Sequence, residues 1–231
     1  MAMNELLFGI VGPTACGKTA VGLLVAERIG AEIISVDSVQ VYRGMDIGSA
    51  KPSVAERQGI AHHMLDCVDI DTPAFSVAAF RDLACMAIDD IFARQKTPLL
   101  IGGSGLYINA LTQPLGFAAP SNPETRKRFE ELYDESPEAA WRTLHEVDPL
   151  TAERLHIHDK KRIVRALEVQ ALTGKPLSSF GSGFANAHTG QARYASKLFG
   201  LRLPRDILYQ RIEQRVDHMM KLGFEEEARR I

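Results

Sequence analysis

Short apolar runs alternate with amphipathic stretches through the first half of the chain. Residues 5–11 (ELLFGIV), 31–36 (AEIISV) and 98–101 (PLLI) are almost continuously apolar, a pattern typical of strands buried on both faces of a parallel sheet. Residues 18–29 and 76–94 repeat apolar side chains at helical spacing. This β-α-β-α-β order predicts the α/β class, with a doubly wound parallel sheet.

The pattern changes near residue 115. Pro114, Pro120 and Pro123 lie close together, and the stretch that follows is purely helical. Residues 123–173 contain helix candidates and no strand candidate, and residues 178–192 are rich in Gly, Ser and Ala, as in a mobile loop. We therefore predict a catalytic core and an inserted all-helical domain. Their predicted bounds are residues 1–114 and 193–231 for the core, and residues 115–192 for the insert.

Strand character returns after the insert. Residues 197–203 (KLFGLRL) form a further strand candidate that rejoins the sheet, and Pro204 begins another amphipathic helix. Residues 223–231 (GFEEEARRI) have the composition of a helix but lack a C-terminal cap. We therefore expect the natural protein to continue beyond this point.

Composition and charge limit the class of partner. A hydrophobic content of 45% and a charged content of 24% are ordinary for a soluble globular protein. The net charge of −2 excludes a protein coated in basic residues, so any nucleic-acid contact must come from local patches. Without a secretion signal or a long apolar run, we expect no membrane association. Three scattered cysteines, in no CxxC pair, favour a cytoplasmic protein without disulfides or zinc.

The strongest chemical signal is an octapeptide that matches G-x-x-x-x-G-K-[ST] between a predicted strand and a predicted helix. Successive N–H groups of such a loop surround phosphate oxygens, and the helix adds its positive N-terminal end. Lys18 supplies a movable charge, and the Thr19 hydroxyl is placed to ligate magnesium. We interpret Cys16 as a small side chain in a tight loop rather than a redox centre. The residues predicted to bind a diphosphate group are Gly12, Pro13, Thr14, Ala15, Cys16, Gly17, Lys18 and Thr19.

Other candidates follow from the P-loop NTPase-like fold, because ligands of open α/β sheets bind beyond the carboxyl ends of the strands. Asp37 follows the second strand and is the natural general base, although it also suits a turn or helix cap. Ser104 follows the third strand and either caps the next helix or touches substrate. Arg211 and Arg215 share one face of the late helix, where they either hold the charge of a departing diphosphate or remain solvated.

Basic residues of the predicted insert fall into two groups, residues 126–128 (RKR) and 160–165 (KKRIVR). Such groups are usually solvated helix faces, but their confinement to an insert in a phosphate-binding core keeps a nucleic-acid backbone site open. The pair His62-His63 has no partner at metal-ligand spacing, so we interpret both histidines as structural.

From these residues alone, attack on phosphorus and attack on carbon both remain open. Five stretches of the sequence resemble the tRNA dimethylallyltransferase family and follow one another in the same order as in that family. Together they extend along nearly the whole chain. Cys16 replaces a more usual serine or other small residue, and Ser49 and Ser104 stand where threonine is common. The stretches are GPTACGKT (12–19), ISVDSVQVYRGMDIGSAKP (34–52), LIGGSGLYINAL (100–111), KRIVRALEV (161–169) and QRIEQRVDHMMKLGF (210–224).

The resemblance implies transfer of a dimethylallyl group from dimethylallyl diphosphate to the exocyclic amine of the tRNA adenosine adjacent to the anticodon. The diphosphate and magnesium would be held by residues 12–19, and the adenosine would be turned out of its stack. Asp37 would take a proton from the amine, while Thr14 and Arg215 would stabilise the departing diphosphate. Family members also continue into a further segment that touches the tRNA.

By the same resemblance, the tRNA anticodon stem-loop and dimethylallyl diphosphate are the partners, and we expect a monomer. Three alternatives remain: a P-loop kinase of a nucleoside or small metabolite, a nucleotide-dependent RNA-binding switch, and an enzyme that prenylates free adenine nucleotides.

The residues that the resemblance implies to contact tRNA are Asp37, Ser38, Val39, Gln40, Ser104, Arg126, Lys161, Arg162, Ile163, Val164 and Arg165.

Overall fold

The computed structural model describes residues 6–72, 75–114, 121–180 and 192–231. The chain divides into two compact units. The sheet unit comprises Met1–Gln113 and Ala192–Ile231, and the helical unit comprises Pro114–Gln191. Most of the predicted loop at residues 178–192 lies outside the described residues, and Leu177–Phe180 forms a 3₁₀ helix. No helix in the described part of the chain is long and apolar enough to cross a bilayer.

The described part of the sheet unit contains a five-stranded sheet whose paired strands all run parallel, in the order β3-β2-β4-β1-β5. The predicted α/β class is confirmed. The strands are β1 (Leu6–Val11), β2 (Ala31–Val36), β3 (His62–His63), β4 (Thr97–Gly102) and β5 (Ala195–Gly200). Helices in this unit are α1 (Lys18–Ile29), α2 (Val77–Ala93), α3 (Gly105–Thr112), α8 (Arg205–Lys221) and α9 (Phe224–Arg230).

Two strands differ from the sequence prediction by more than one residue at an end. The last strand is Ala195–Gly200 rather than residues 197–203, so it begins and ends earlier along the chain. The strand formed by the two histidines was not predicted, because two polar residues produce neither an apolar run nor an alternating pattern.

Helices cover both faces of the central strands. On one face, Ile34 of β2 is buried in a cluster with Phe80 of α2. On the other face, Ile33 packs in a cluster with Leu23 of α1. Every residue of β2 is therefore buried, as its continuous apolar run indicates.

The helical unit contains α4 (Pro123–Glu135), α5 (Pro137–Val147), α6 (Pro149–Ala152) and α7 (Lys160–Thr173). Asn122, Ser136 and Asp148 precede the prolines of three of these helices, and each side chain accepts a hydrogen bond from the first helical turn. This cap followed by proline fixes where each helix begins.

Candidate active site

The carboxyl ends of β1, β2 and β4 lie at one level of the sheet. Gly102 is in register with Val11 of β1 on one side and with Val36 of β2 on the other. The segments that follow these three strands therefore meet, and together with the loop at residues 49–52 and α8 they line a cavity of about 340 Å³. Of the predicted site residues, those lining it are Gly12, Pro13, Thr14, Lys18, Thr19, Asp37, Gln40, Ser104 and Arg215.

The glycine-rich loop after β1 has a shape that larger side chains would disturb. A Cβ on Gly12 would lie 2.6 Å from the Leu201 carbonyl oxygen and 3.0 Å from Cys16 Sγ. Gly17 ends the loop with φ of 95°, in the left-handed region that favours glycine. The Cys16 side chain is buried against this turn, as expected for a small residue in a tight loop.

Lys18 folds back over this loop. Its Nζ donates a hydrogen bond to the Pro13 carbonyl oxygen at 2.7 Å. Burial lowers the pKa of Lys18, and the positive charge of Arg215 lowers it further, against the opposing effects of Cys16 and Asp37. The ammonium group thus lies at the cavity, held by one carbonyl oxygen that an anion can replace.

Asp37 uses one carboxylate oxygen to shape the turn after β2. Asp37 Oδ1 accepts hydrogen bonds from the backbone N–H of Val39 at 2.8 Å and of Gln40 at 3.2 Å. In the described part of the chain, no donor bonds to Oδ2. The side chain is therefore a turn cap that also presents a carboxylate oxygen at the cavity, so the two interpretations of this residue are compatible.

Ser104 joins the ends of β2 and β4. Its Oγ accepts a hydrogen bond from the Ser38 backbone N–H at 3.1 Å, and it makes no side-chain cap to α3. The two strand ends approach so closely that a Cβ on Gly102 would lie 2.0 Å from the Val36 carbonyl oxygen. The glycine permits this approach, and Ser104 then fixes the backbone next to Asp37.

The Gln40 side chain is fully engaged within the protein. Its Oε1 accepts from Ser35 Oγ at 2.8 Å, and its Nε2 donates to the carbonyl oxygens of Ser49 and Ala50, both at 3.2 Å. Arg215 Nη2 donates to the same Ser49 carbonyl oxygen at 3.5 Å. Gln40 and Arg215 are therefore fixed to one loop of the cavity wall.

Several residues that line the cavity were not predicted as site residues. His62, on β3, directs Nδ1 to the Ile60 carbonyl oxygen at 2.8 Å, so Nδ1 carries the ring proton. Burial lowers the pKa of His62, which favours the neutral ring. The other residues of this kind are Ile33, Ser35, Ser49, Ala50, Pro52 and Ile101.

In the helical unit, some basic side chains are bonded to a buried carboxylate, whereas others are exposed to solvent. Arg126 Nη2 and Arg165 Nη1 both donate to Glu168 Oε2, at 3.1 and 2.8 Å, and Glu168 is completely buried. Lys161 and Arg162 are exposed. One buried carboxylate therefore neutralises part of the charge of the two arginines, and the predicted tRNA contact of these four residues stays a prediction.

Ile163 and Val164 are core residues of the helical unit. Their side chains are 0% and 3% exposed, within a cluster that includes Phe129 and Leu144. The periodicity of α7 turns both side chains inward, and the predicted tRNA contact of these two residues stays a prediction. The exposed cations occupy the outer face of the same helix.

Comparison with known proteins shows which family the chain is similar to. The sequence model of the IPP transferase family matches residues 40–231. The tRNA dimethylallyltransferase of Pelotomaculum thermopropionicum is 44% identical over 229 residues, spanning 99% of this chain and 71% of that protein. The tRNA dimethylallyltransferase of Shouchella clausii is 46% identical over 230 residues, spanning 99% and 72%.

Solved structures give the same result. The full-length tRNA isopentenylpyrophosphate transferase of Bacillus halodurans is 38% identical with a TM-score of 0.65, and the match covers 98% of this chain and 70% of that chain. A eukaryotic dimethylallyltransferase acting on tRNA is 28% identical with a TM-score of 0.80, covering 97% and 55%. The chain belongs to the tRNA dimethylallyltransferase family.

Proposed function

We propose that the cavity beyond β1, β2 and β4 is where the chain carries out its family's reaction on tRNA. The dimethylallyl group of dimethylallyl diphosphate is transferred to the exocyclic amine of the adenosine adjacent to the anticodon, and diphosphate is released. One observation carries the proposal: the glycine-rich loop, the Asp37 carboxylate and the Arg215 guanidinium line a single cavity.

The donor binds with its diphosphate on the glycine-rich loop. Backbone N–H groups of residues 12–19 and the N-terminal end of α1 surround the phosphate oxygens, and Lys18 Nζ moves from the Pro13 carbonyl oxygen to the ligand. Ile33, Ile101 and Pro52 give the same cavity an apolar wall. This wall suits the hydrocarbon chain of the donor.

Magnesium fits this arrangement through Thr19. The described residues contain no group of three or more His, Cys, Asp or Glu side chains that would hold a metal ion, whereas Thr19 lines the cavity on the first turn of α1. A hydroxyl group together with phosphate oxygens and water is a usual ligand set for Mg²⁺. When bound, the ion would neutralise charge on the diphosphate.

The acceptor amine attacks the first carbon of the prenyl chain. A C–N bond forms, the C–O bond to the diphosphate breaks, and the proton of the amine passes to Asp37. Thr14 and Arg215 interact with the charge that develops on the leaving group. Since a neutral aromatic amine is a poor nucleophile, most of the rate must come from alignment of the reactants and stabilisation of the diphosphate.

Recognition of the tRNA anticodon stem-loop involves both units in our proposal. In the sheet unit, the contacts come from Asp37 to Gln40 and from Ser104. In the helical unit, the exposed Lys161 and Arg162 bind the phosphate backbone, with Arg126 and Arg165 contributing the charge that Glu168 leaves uncompensated. We take the chain to act as a monomer.

The proposal is tested by supplying labelled substrates to the purified chain with unmodified tRNA. Label from dimethylallyl diphosphate should appear in tRNA, at the adenosine next to the anticodon, and K18A should abolish binding of the donor. Transfer of the terminal phosphate of ATP to a nucleoside or other small acceptor would instead establish a kinase. Label in free adenine nucleotides rather than in tRNA would instead establish an enzyme that prenylates free adenine nucleotides.

A further inference from the structure

Helix α9 directs one buried carboxylate into a loop that lies far away in the sequence. Glu227 is 3% exposed. Its Oε2 accepts from the backbone N–H of Asp46 at 2.8 Å and of Ile47 at 2.7 Å, while Oε1 accepts from Gly48 N–H at 2.8 Å. Three consecutive amides therefore bind one side chain, an arrangement typical of anion recognition by a backbone turn.

The carboxylate is ionised in this position. Burial alone would raise the pKa of Glu227, but the amides of Gly48, Ile47 and Asp46 outweigh that effect and lower it. Hydrogen bonds of this kind are charge-assisted and stronger than neutral ones. An amide side chain at this position would present only one acceptor oxygen, so it would leave at least one of these buried donors poorly satisfied.

The loop held by Glu227 continues directly into the cavity wall. Ser49 follows the three bonded amides, and its carbonyl oxygen is the acceptor shared by Arg215 and Gln40. A second contact fixes the same loop, since a Cβ on Gly48 would lie 2.5 Å from Phe224 Cε2. The Phe224 ring thus packs directly on the backbone that Glu227 binds.

The other end of the loop is fastened independently. The Lys51 side chain is 3% exposed, and its Nζ contacts Asp46 Oδ1 and Asp66 Oδ1, both at 2.6 Å. Nζ also donates to the Tyr42 carbonyl oxygen at 2.7 Å. Lys51 therefore ties the loop to Asp66, whereas Glu227 ties it to α9.

Arg215 and Glu227 reach this loop from two helices joined by a tight turn. Arg215 lies on α8, and α9 follows after Gly223, whose φ of 94° makes the turn possible. Glu227 thereby fixes the position of the Ser49 carbonyl oxygen relative to the helix that carries Arg215.

We propose that Glu227 is a positioning residue for the transfer step: it holds the loop at residues 46–48 so that the Ser49 carbonyl oxygen directs Arg215 into the cavity. This inference rests on the proposed role of Arg215 at the departing diphosphate. Glu227 itself touches neither substrate. Its effect should therefore pass through Arg215 and appear in turnover more than in donor affinity.

A double-mutant cycle tests this coupling. E227Q should lower kcat about tenfold while KM for dimethylallyl diphosphate changes by less than about threefold. In the R215A background, the further loss caused by E227Q should shrink to less than about twofold, because the residue that Glu227 positions is gone. E226Q, which alters the exposed neighbour on the same helix, should retain full activity.

The possible results separate the inference from the proposed function. If R215A lowers kcat but E227Q has no effect, or the same effect in both backgrounds, the positioning role is wrong and the proposed function stands. If R215A keeps full activity, the proposed role of Arg215 fails, and the inference fails with it. Should E227Q unfold at the assay temperature, E227D, which withdraws the carboxylate by one methylene group, provides the same cycle. An equal loss in both backgrounds would overturn the inference.

Discussion

At the scale of single residues, the Asp37 side chain caps the turn after β2 and also presents a carboxylate oxygen that can take up a proton. Oδ1 is committed to two backbone amides of its own turn, and the side chain lines the cavity. An asparagine can keep the first function, because its amide oxygen still accepts hydrogen bonds, but it cannot take up a proton. The two functions are therefore separable by a substitution of nearly equal size.

We expect D37N to lose about 100- to 10,000-fold in turnover, the range contributed by general bases, while its melting temperature stays within about 2 °C of the wild type. D37A should lose both turnover and stability, because it also removes the turn cap. Single-turnover prenylation assays measure turnover, and thermal melting measures stability. A D37N variant with more than a tenth of the wild-type rate would exclude the base role.

Cys16 provides a contrasting prediction. Because its side chain is buried against the turn at Gly12 and packing explains it, C16S should keep prenylation within about twofold of the wild type. The comparison is made under reducing and mildly oxidising conditions. Loss of activity in C16S under reducing conditions would indicate a chemical role for the thiol.

Sequence reasoning identified residues of this site that follow a recognisable pattern, and it missed those defined by distant partners. The glycine-rich loop and Asp37 were identified because a strand end and a motif mark them. Gln40 was predicted to contact tRNA, but its bonds to Ser49 and Ala50 were not foreseeable. The pairing of Arg126 with Glu168, 42 residues away, is equally invisible to local periodicity. The assigned chemical roles remain predictions.

At the scale of elements, Glu32 joins four segments at the opposite end of β2. Glu32 is 4% exposed. It accepts two hydrogen bonds from Arg94 at the end of α2, at 2.6 and 2.8 Å, and one from Lys96 before β4 at 2.8 Å. His63 of β3 lies 2.8 Å away. Arg94 above all, then Lys96 and His63, hold the pKa of Glu32 far below its usual value despite burial.

We predict that E32Q lowers the free energy of unfolding by about 2 kcal/mol at pH 7, because it removes the negative charge of a buried carboxylate that Arg94 and Lys96 are bonded to. The folded-state pKa is depressed, so this stabilisation is present above the unfolded-state value of 4.5. It is lost as the pH falls from there through the folded-state pKa. Urea unfolding at pH 7 and at pH 3.5 should show that the free energy of unfolding of the wild type approaches that of E32Q in acid.

E27Q, on the exposed face of α1, is the matched control. An equal difference between the wild type and E32Q at both pH values would contradict this account.

The first and last residues of a helix or strand can be predicted from its own sequence only when that sequence marks both ends clearly. The twelve residues of α1 agree with the prediction because a glycine ends the helix at each side. The bounds of β5 are set instead by its partner, since Leu6 to Val11 pair in register with Ala195 to Gly200. A strand whose ends depend on its neighbour cannot be delimited from its own residues.

At the scale of the whole molecule, a net charge of −2 coexists with a basic group on the helical unit. Lys160, Lys161 and Arg162 occupy the first turn of α7, where positive side chains oppose the helix dipole. Lys160 pairs with Asp134, and Arg162 contacts Asp159 at 3.3 Å. Asp134 and Asp159 offset part of this unfavourable interaction, and the exposed cations remain the candidates for the phosphate contact proposed above.

We expect the double variant K161A/R162A to raise KM for tRNA about tenfold at physiological salt, and to leave KM for dimethylallyl diphosphate unchanged. The slope of log affinity against log salt should decrease in magnitude by about 1.5, since two phosphate contacts are lost. Filter binding at several salt concentrations measures both effects. The control R142A/R154A removes the same charge elsewhere on the helical unit, and an equal effect in both variants would argue against a local contact.

The position of β5 has a consequence for the order in which the chain becomes structured during synthesis. Strand β1, which carries the phosphate-binding loop, lies between β4 and β5 in the sheet. The ribosome must translate the whole helical unit after β4 before it reaches β5. The nascent β1 therefore keeps one unpaired, hydrogen-bonding edge throughout that interval. Because β5 pairs with a strand that lies far away in the sequence, completion of the sheet should be slow. A nascent chain halted before Ala195 should depend on chaperones to avoid aggregation.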